Sequence, residues 1–346
     1  GLTEELTSEL ARFQDISVIA AQSAMHFKDQ EADPKKIGQE LGVRFLLAGS
    51  IRIGMTAIKV TIQLFDTLTA EQVWGMNYKE NLAAADLIAL QETIAQRVVG
   101  SIADHYGLIN RRLSKESRKK RPSELKTYDA VLKFYHYETV LTLESFIIAL
   151  NALEEAVQLD PSYGLAWAML GHLHADNHAL GFLDSADSLD KALACTQKGV
   201  ALDKDNQFVQ DAITLVHFHR GDKKLFLKSV TETIALNPNA PYIIGVAGWH
   251  LCLYGEWERG RDLLARGMVV NPYHPTWFHL ALFMDYYRQD DYENAFAEAL
   301  KFNHPELFWD PVMRAAALGR MGKENEAKTA IGELLKLEPE LTRRGR

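Results

Sequence analysis

Six short segments of similar sequence recur through the last two thirds of the chain, and each has the composition of a turn that follows a helix. They are QLDPSY at Gln158, ALDKDN at Ala201, ALNPNA at Ala235, VVNPYH at Val269, KFNHPE at Lys301 and KLEPEL at Lys336. Equivalent positions are separated by 43, 34, 34, 35 and about 32 residues. A period of 34 residues accommodates two antiparallel helices and a turn, so an all-α solenoid of about six helix pairs is predicted over residues 126–346.

The repeat is similar to the tetratricopeptide repeat in more than its length. Close crossing of the two helices in a pair needs a small residue, and the corresponding positions are Ala149, Ala192, Phe226, Gly260, Ala295 and Ala327. Only Phe226 departs from this rule. The first-helix signature W-x-x-L-G-x-x-Y is matched by Trp167, Leu170 and Gly171, with His174 in place of the tyrosine. Nine extra residues in the 43-residue step are predicted to form a loop over 177–188.

In arrays of this type, the first helix of each pair lines a concave groove. Counting along those helices predicts groove positions that are rich in aromatic side chains with a polar tip, which suit an apolar or helical peptide. The predicted peptide-binding residues are His172, Leu215, Phe218, Tyr242, Trp249, Trp277, Met284, Tyr287 and Trp309. The alternative, which stays open for each of them, is that an aromatic stripe at helical spacing belongs to the core between repeats. The groove positions offer no fork of cations, which argues against a terminal carboxylate as the ligand.

Catalytic and metal-binding motifs are absent from the sequence. It contains no phosphate-binding glycine loop, no HExxH and no nucleophile elbow, so the chain is predicted to be non-catalytic and to need no cofactor. His172, His174 and His178 form H-x-H-x-x-x-H, in which His174 and His178 are one helical turn apart. Apart from Asp176, no carboxylate or cysteine follows at ligand spacing, so no metal site is predicted here.

Residues 1–107 have the pattern of a small α/β module. A helix starts at Leu2, ISVIA at 16–20 is predicted to be a short buried strand, and Asp33-Pro34 opens a second helix. Apolar residues then alternate along 56–66, which indicates a half-buried strand in an antiparallel meander with its neighbours 43–53 and 73–79. A long amphipathic helix over 82–105 is expected to cover the apolar side of the meander.

Three runs in this part resemble a known family. IGQELGVRFLLAGSIR (37–52), VTIQLFDTLTAEQVWGMNY (60–78) and LIALQETIAQRVVGSI (87–102) are similar to the TolB amino-terminal-like module. The resemblance implies a bacterial regulatory region, in which this module and a tetratricopeptide array follow an output domain. That domain is either a class III adenylate/guanylate cyclase or a winged-helix DNA-binding domain. The family's first strand is missing here, which implies a truncated three-layer module, and Ala70 stands where a turn glycine is common.

A basic segment separates the two predicted domains. Residues 111–122 carry 7 basic side chains and 1 acidic side chain within a chain whose net charge is −8. An acidic protein with one basic segment is not built to wrap nucleic acid, and 108–125 is predicted to be a solvated linker; a handle for an acidic partner or membrane is the alternative.

Compartment and context follow less directly from the sequence. Cys195 and Cys252 are predicted to be buried free thiols, which favours a cytoplasmic location. A membrane span upstream would instead make this part periplasmic. The chain itself holds no apolar stretch long enough to span a bilayer.

Together these observations predict a regulatory, protein-interaction region. It would bind a protein or peptide segment in its groove and modulate an upstream signalling domain, and a homodimer is compatible with the sequence. Two alternatives remain open for the longer protein. It is either an adenylate/guanylate cyclase or a transcription regulator, whose output domain lies outside this chain.

Overall fold

The computed structural model describes residues 1–14, 16–27, 33–81, 87–117 and 127–341. These residues group into two compact units. Unit 1 comprises residues 1–216 and 231–240, and unit 2 comprises residues 217–230 and 241–346. The division falls within the helical array, whereas the sequence placed a domain boundary at residue 107. The module and the first helix pairs therefore share one unit.

The N-terminal part of unit 1 is a small mixed segment. Its elements are α1 (Leu2–Leu10), α2 (Ala21–Met25), α3 (Pro34–Leu41), β1 (Phe45–Ile53), β2 (Ala57–Asp66), β3 (Glu71–Asn81), α4 (Leu87–Ile102) and α5 (Leu108–Ser117). The Asp33 side chain accepts a hydrogen bond from the backbone N–H of Lys35, and Pro34 is the first residue of α3, as its sequence predicts.

The three strands form an antiparallel sheet in the order β1-β2-β3, which confirms the predicted meander. Along β2, Ile58, Val60, Ile62 and Leu64 are all buried, whereas the residues between them are at least partly exposed. The alternation therefore identifies the core face correctly. A register shift between Leu64 and Phe65 bends the end of this ladder.

The strand predicted over ISVIA is wrong. Residues 17–20 carry no regular secondary structure, and Ile19 is exposed. A short apolar run forms a strand only if another strand pairs with it, and in the described residues β1 and β3 pair only with β2. The segment instead leads from α1 to the short helix α2.

The predicted linker begins with a helix. Helix α5 occupies 108–117, and its Ser114 and Ser117 are buried. The Ser117 hydroxyl donates to Asp129 at 2.7 Å, which joins α5 to the next helix. The expectation of a solvated segment therefore fails for this half, because its helix packs into unit 1. Residues 118–126 lie outside the described residues.

Helices α6 to α17 follow as six consecutive pairs in residues 127–341. They are α6 (Thr127–Val140), α7 (Leu143–Leu159), α8 (Gly164–Leu180), α9 (Ser188–Leu202), α10 (Gln207–His219), α11 (Lys223–Leu236), α12 (Pro241–Leu253), α13 (Trp257–Val270), α14 (Phe278–Arg288), α15 (Tyr292–Phe302), α16 (Trp309–Arg320) and α17 (Glu324–Leu337). The number of pairs and the turns between them agree with the 34-residue period.

Small residues allow the paired helices to cross closely, as predicted. Ala149, Ala192 and Ala295 are fully buried at their crossings. In the α12–α13 pair two glycines meet, and a Cβ on Gly248 would lie only 2.6 Å from the carbonyl oxygen of Gly260. The exception, Phe226, is also fully buried, and its ring stacks on Tyr254 at 4.8 Å.

The extra residues of the long repeat are only partly a loop. Helix α8 continues to Leu180, so it absorbs the first residues of the predicted insertion. The remaining loop is held by Asn177, whose side chain donates to the Leu183 carbonyl at 3.0 Å and accepts from the Leu183 N–H at 2.7 Å. Phe182 packs against Phe146 with ring centroids 5.1 Å apart.

Among the helices of the described residues, none has the length and apolar character that crossing a bilayer requires.

Candidate interaction surface

Helix α12 is the central element of the predicted groove, and nearly all of it is buried. Every residue from Pro241 to Cys252 is buried except Trp249. Apolar side chains lie on every side of the helix, so it has no polar face that would be exposed to solvent. Tyr242, predicted to contact a ligand, is only 2% exposed and belongs to the core. Trp249 is the one residue of this helix segment that reaches a surface.

Trp249 pairs with a second predicted residue, Trp277, which precedes α14. Their ring centroids are 5.5 Å apart with planes at 85°, the edge-to-face geometry that aromatic pairs favour. Both rings are half-buried. Helix α12 packs on α14 directly, so the first helices of two successive pairs bring the tryptophans together.

Met284 and Tyr287 of α14 complete this surface. With the two tryptophans they pack on one core cluster formed by Leu280, Phe283, Ala295, Ala299, Phe302, Met313 and Ala317. Tyr287 stacks on Phe283 at 5.5 Å. All four are half-buried, so each combines a packed side with an accessible one. We call Trp249, Trp277, Met284 and Tyr287 the aromatic face; it lies entirely in unit 2.

The indole nitrogen of Trp249 is unusual among these groups. Its Nε1–H is buried and has no hydrogen-bond partner in the described residues. A buried tryptophan that serves only the core normally pairs this donor, because an unpaired donor costs about 1–3 kcal/mol. The side chain is therefore poorly explained by packing alone.

The other predicted groove residues are not part of the aromatic face. Leu215, 5% exposed, lies in a core cluster with Ala175, Ala192 and Val216 in unit 1. Phe218 is half-buried in a ring cluster of unit 2, where its centroid is 4.5 Å from that of His250. Trp309 is the most exposed, at 36%, and its ring lies 4.7 Å from that of Phe308 at the start of α16.

Sequence reasoning missed further residues that pack on the same core beside the aromatic face. Tyr286, Phe296 and Leu307 are partly buried there. Phe296 lies on α15, the second helix of its pair, and Leu307 lies in the turn before α16. Counting first-helix positions could not find either of them.

The predicted residue His172 lies in a different environment, inside unit 1. Its Nε2 is 3.5 Å from a carboxylate oxygen of Glu138 on α6 and 3.5 Å from one of Asp176, one turn along α8. The Tyr137 hydroxyl donates to Asp176 at 2.9 Å. Of the three histidines that the sequence grouped, His174 is half-buried and His178 is exposed, so the structure replaces them with carboxylates as the neighbours of His172.

Burial dominates the electrostatics of this cluster. It lowers the pKa of His172 and so favours the neutral imidazole, although the Glu138 charge opposes this shift. Burial raises the pKa of Asp176 to about 7 despite the hydrogen bond from Tyr137. On α10, burial and the Glu138 charge raise the pKa of Asp211 to about 8.

The two cysteines are free thiols without the features of nucleophiles. Burial raises the pKa of Cys252 to about 12 and raises that of Cys195 as well. Both stay protonated at neutral pH, and the thiolate is the reactive form.

Comparison with solved structures finds helical-repeat proteins that are similar to this chain in fold. No protein-family model matches the chain. A monomeric mutant of IFIT1 with Gppp-AAAA superposes with a TM-score of 0.56 at 14% identity, over 72% of this chain and 56% of that one. The human IFIT1 dimer with m7Gppp-AAAA gives 0.51 at 14% identity, over 72% and 57%. These likenesses support a tetratricopeptide-like helical repeat and concern the fold alone.

One curated relative also matches in sequence. It is "Putative adenylate cyclase 3" of Rhizobium meliloti (strain 1021), 28% identical over 218 residues. The match covers 62% of this chain and 36% of that protein, so the chain spans about a third of the relative's length.

Proposed function

We propose that this chain is a non-catalytic, protein-binding and regulatory region, and that the aromatic face of unit 2 is its contact with a protein or peptide segment. The observation that carries the proposal is the arrangement of Trp249, Trp277, Met284 and Tyr287 on one core cluster, each half-buried. Tryptophan and tyrosine dominate binding energy at protein interfaces when a packed neighbourhood holds them in place. A tetratricopeptide-like repeat is a scaffold that presents such surfaces.

The partner that fits is a segment with apolar side chains. An amphipathic helix placing residues i, i+3 and i+4 on the face would cover the tryptophan rings and the Met284 side chain. Methionine adapts to irregular apolar surfaces, and the phenol of Tyr287 adds a hydrogen-bonding tip. A second copy of the chain is a further candidate for this role, which would make the protein a homodimer.

The regulated domain is proposed to be a cyclase. The similarity to a protein named as an adenylate cyclase, of which this chain spans only 36%, supports a place beside a cyclase domain in a longer protein. The resemblance of residues 37–102 to the TolB amino-terminal-like module supports the same context and a bacterial setting, and the two free cysteines support a cytoplasmic one. A winged-helix output domain is the alternative, and assaying cyclic nucleotide formation by the longer protein separates the two.

RNA is a weaker candidate ligand. The IFIT1 structures hold capped oligonucleotides, but this chain has a net charge of −8, and phosphate contacts dominate nucleic-acid affinity. The aromatic face also lacks a cation among its four side chains. We therefore assign the surface to protein and retain RNA as a competitor in the assay.

Site-specific crosslinking tests this assignment. A photo-reactive phenylalanine analogue replaces Met284 in one protein and the exposed Val269 of α13 in a control, and both are irradiated in host-cell extract. The proposal predicts a discrete protein adduct from position 284 that RNase treatment does not remove, and none from position 269. Equal labelling from both positions, no adduct from 284, or an adduct lost with RNase would each contradict it.

A further inference from the structure

The buried cluster around His172 is a set of metal-type ligands drawn from neighbouring helices. Glu138 lies on α6, and His172 and Asp176 lie on α8. One oxygen or nitrogen of each lies within 4.8 Å of the other two. Glu138 and His172 are buried, and Asp176 is nearly so. Of these three, His172 and Asp176 are at ligand spacing in the sequence, whereas Glu138 comes from another helix and could not be identified from motif spacing.

The distances from His172 Nε2 to the two carboxylates are longer than ordinary hydrogen bonds and suit ligands of a shared cation. His172 Nε2 lies 3.5 Å from each of the two carboxylate oxygens, whereas an N–H···O bond measures about 2.7–3.2 Å. Two ligands that each lie about 2.0–2.2 Å from one zinc ion in tetrahedral geometry are roughly 3.3–3.6 Å apart. The observed separations therefore match those of atoms that share a metal ion.

A second, independent observation comes from α10. Asp211 is only 3% exposed, and its Oδ2 has no hydrogen-bond partner in the described residues. Asp211 lies one helical turn after Phe208 on α10, and the Phe208 ring stacks on that of His172 at 5.8 Å, so Asp211 belongs to a helix that packs against the cluster. An unpaired buried carboxylate oxygen is costly, and a cation is the partner that would satisfy it.

The surroundings also fit a metal site. The Tyr137 hydroxyl donates to Asp176 and would hold this carboxylate in place, as second-layer hydrogen bonds do around metal ligands. The His172 ring stacks on Phe208 at 5.8 Å and meets Phe134 edge-on at 5.2 Å, which limits its rotation.

We propose that Glu138, His172 and Asp176 form a binding site for one divalent transition-metal ion, with Zn²⁺ as the expected occupant. A mixed set of one imidazole and several carboxylates suits Zn²⁺ better than Mg²⁺ or Ca²⁺, which prefer oxygen alone. The ion would join α6 and α8, the first helices of two successive pairs, and its charge would offset that of the buried Asp211 on α10. Its expected role is to stabilise unit 1, independently of the aromatic face.

Calorimetric titration of the chelator-treated chain with ZnCl₂ tests the proposal, with MgCl₂ as a parallel titrant. Glu138→Gln and Asp176→Asn keep the side-chain shapes and remove one charge each, and His178→Gln on the exposed side of α8 is the matched control. We expect one equivalent of Zn²⁺, a higher Tm with Zn²⁺ bound, and affinity at least about tenfold weaker in both site variants. The control should bind as the unsubstituted chain does.

Three results would overturn the site: no binding of Zn²⁺, unchanged affinity in Glu138→Gln and Asp176→Asn, or loss of binding in His178→Gln. If both site variants fail to fold, the unsubstituted chain is titrated with Co²⁺ and its visible absorption spectrum is measured instead. Intense bands of a four-coordinate ion support the site, and their absence rejects it.

Discussion

Arg112 on α5 donates from Nε to Asp66 Oδ2 at 2.9 Å and thereby ties the end of strand β2 to the helix that leads into the repeat array. Asp66 is completely buried. Arg44 donates to the same oxygen at 3.2 Å, and the Leu68 N–H donates to the other at 3.1 Å. Within unit 1, this one carboxylate connects the sheet, its turn and α5.

Removing one of these donors should weaken unit 1. Arg112→Gln leaves a buried carboxylate with one charged partner fewer, and we expect the free energy of unfolding to fall by about 1–3 kcal/mol. Lys115→Gln, an exposed position on the same helix, is the control and should change little. Urea denaturation followed by circular dichroism measures both. Equal stability of the two variants would show that the connection contributes nothing.

The pH dependence of stability should reveal a second buried carboxylate, Glu298 on α15. Burial alone would raise its pKa, but hydrogen bonds from His279 at 2.6 Å and Lys301 at 2.7 Å hold the pKa below its ordinary value. A carboxyl whose pKa is lower in the folded state stabilises above its unfolded pKa, and this contribution disappears as pH falls through the folded value.

We therefore expect Glu298→Gln to cost about 1–3 kcal/mol at pH 7 and progressively less below about pH 4. Glu293→Gln, exposed on the same helix, should show no such trend. Unfolding free energies measured from pH 7 to pH 3 give the comparison. A cost for Glu298→Gln that stays constant with pH would exclude the ionised pair as its source.

Glycine at the α12–α13 crossing should be irreplaceable, in contrast to glycine on an open helix surface. A Cβ on Gly248 would lie 2.6 Å from the Gly260 carbonyl oxygen and 2.8 Å from the Leu264 nitrogen, both backbone atoms that cannot move aside alone. Gly248→Ala should cost about 1–3 kcal/mol. A Cβ on Gly332 of α17 would meet no atom within 4 Å outside the adjoining helix backbone. Gly332→Ala should therefore raise the free energy of unfolding by about 0.5–1 kcal/mol. The opposite signs are measurable by thermal unfolding, and the same sign for both would refute the packing argument.

The β2–β3 turn offers a stabilising substitution. Ala70 has a φ of 62°, a left-handed conformation that costs a residue with a Cβ about 1–2 kcal/mol. Ala70→Gly should therefore raise the free energy of unfolding by about 1 kcal/mol, whereas Gly42→Ala, at a φ of 65°, should lower it by a similar amount. A loss of stability in Ala70→Gly would contradict this view of the turn.

Most of the fold was predictable because its signals are local and repeated. The proline-containing turns and small crossing residues define the six helix pairs, and alternation along β2 identifies its buried face. The strand predicted at 16–20 failed because pairing is not a local property. The prediction of a solvated linker was wrong for its first half because Arg112, a type of residue that is usually exposed, forms an ion pair with the buried Asp66, which is distant in sequence.

The candidate site was only partly predictable, for a reason visible in α12. Position counting assumes that each first helix turns one side to solvent, but α12 is enclosed on nearly all sides, so Tyr242 is core and Trp249 is not. Spacing along the chain also gave only one of the two carboxylate partners of His172, namely Asp176. Glu138 is 34 residues away on another helix, and only folding brings the two within 3.5 Å.

The most direct test of the central claim is the affinity of the crosslinked partner segment for three forms of the chain. Trp249→Ala and Trp277→Ala remove the centre of the aromatic face, and Trp167→Ala in unit 1, where Lys198 covers the ring at 3.7 Å, is the matched control. Isothermal titration should show binding weakened about 30-fold or more by each of the first two changes and unaltered by the third. Equal affinity in all three folded variants would contradict the claim that this face is the binding surface.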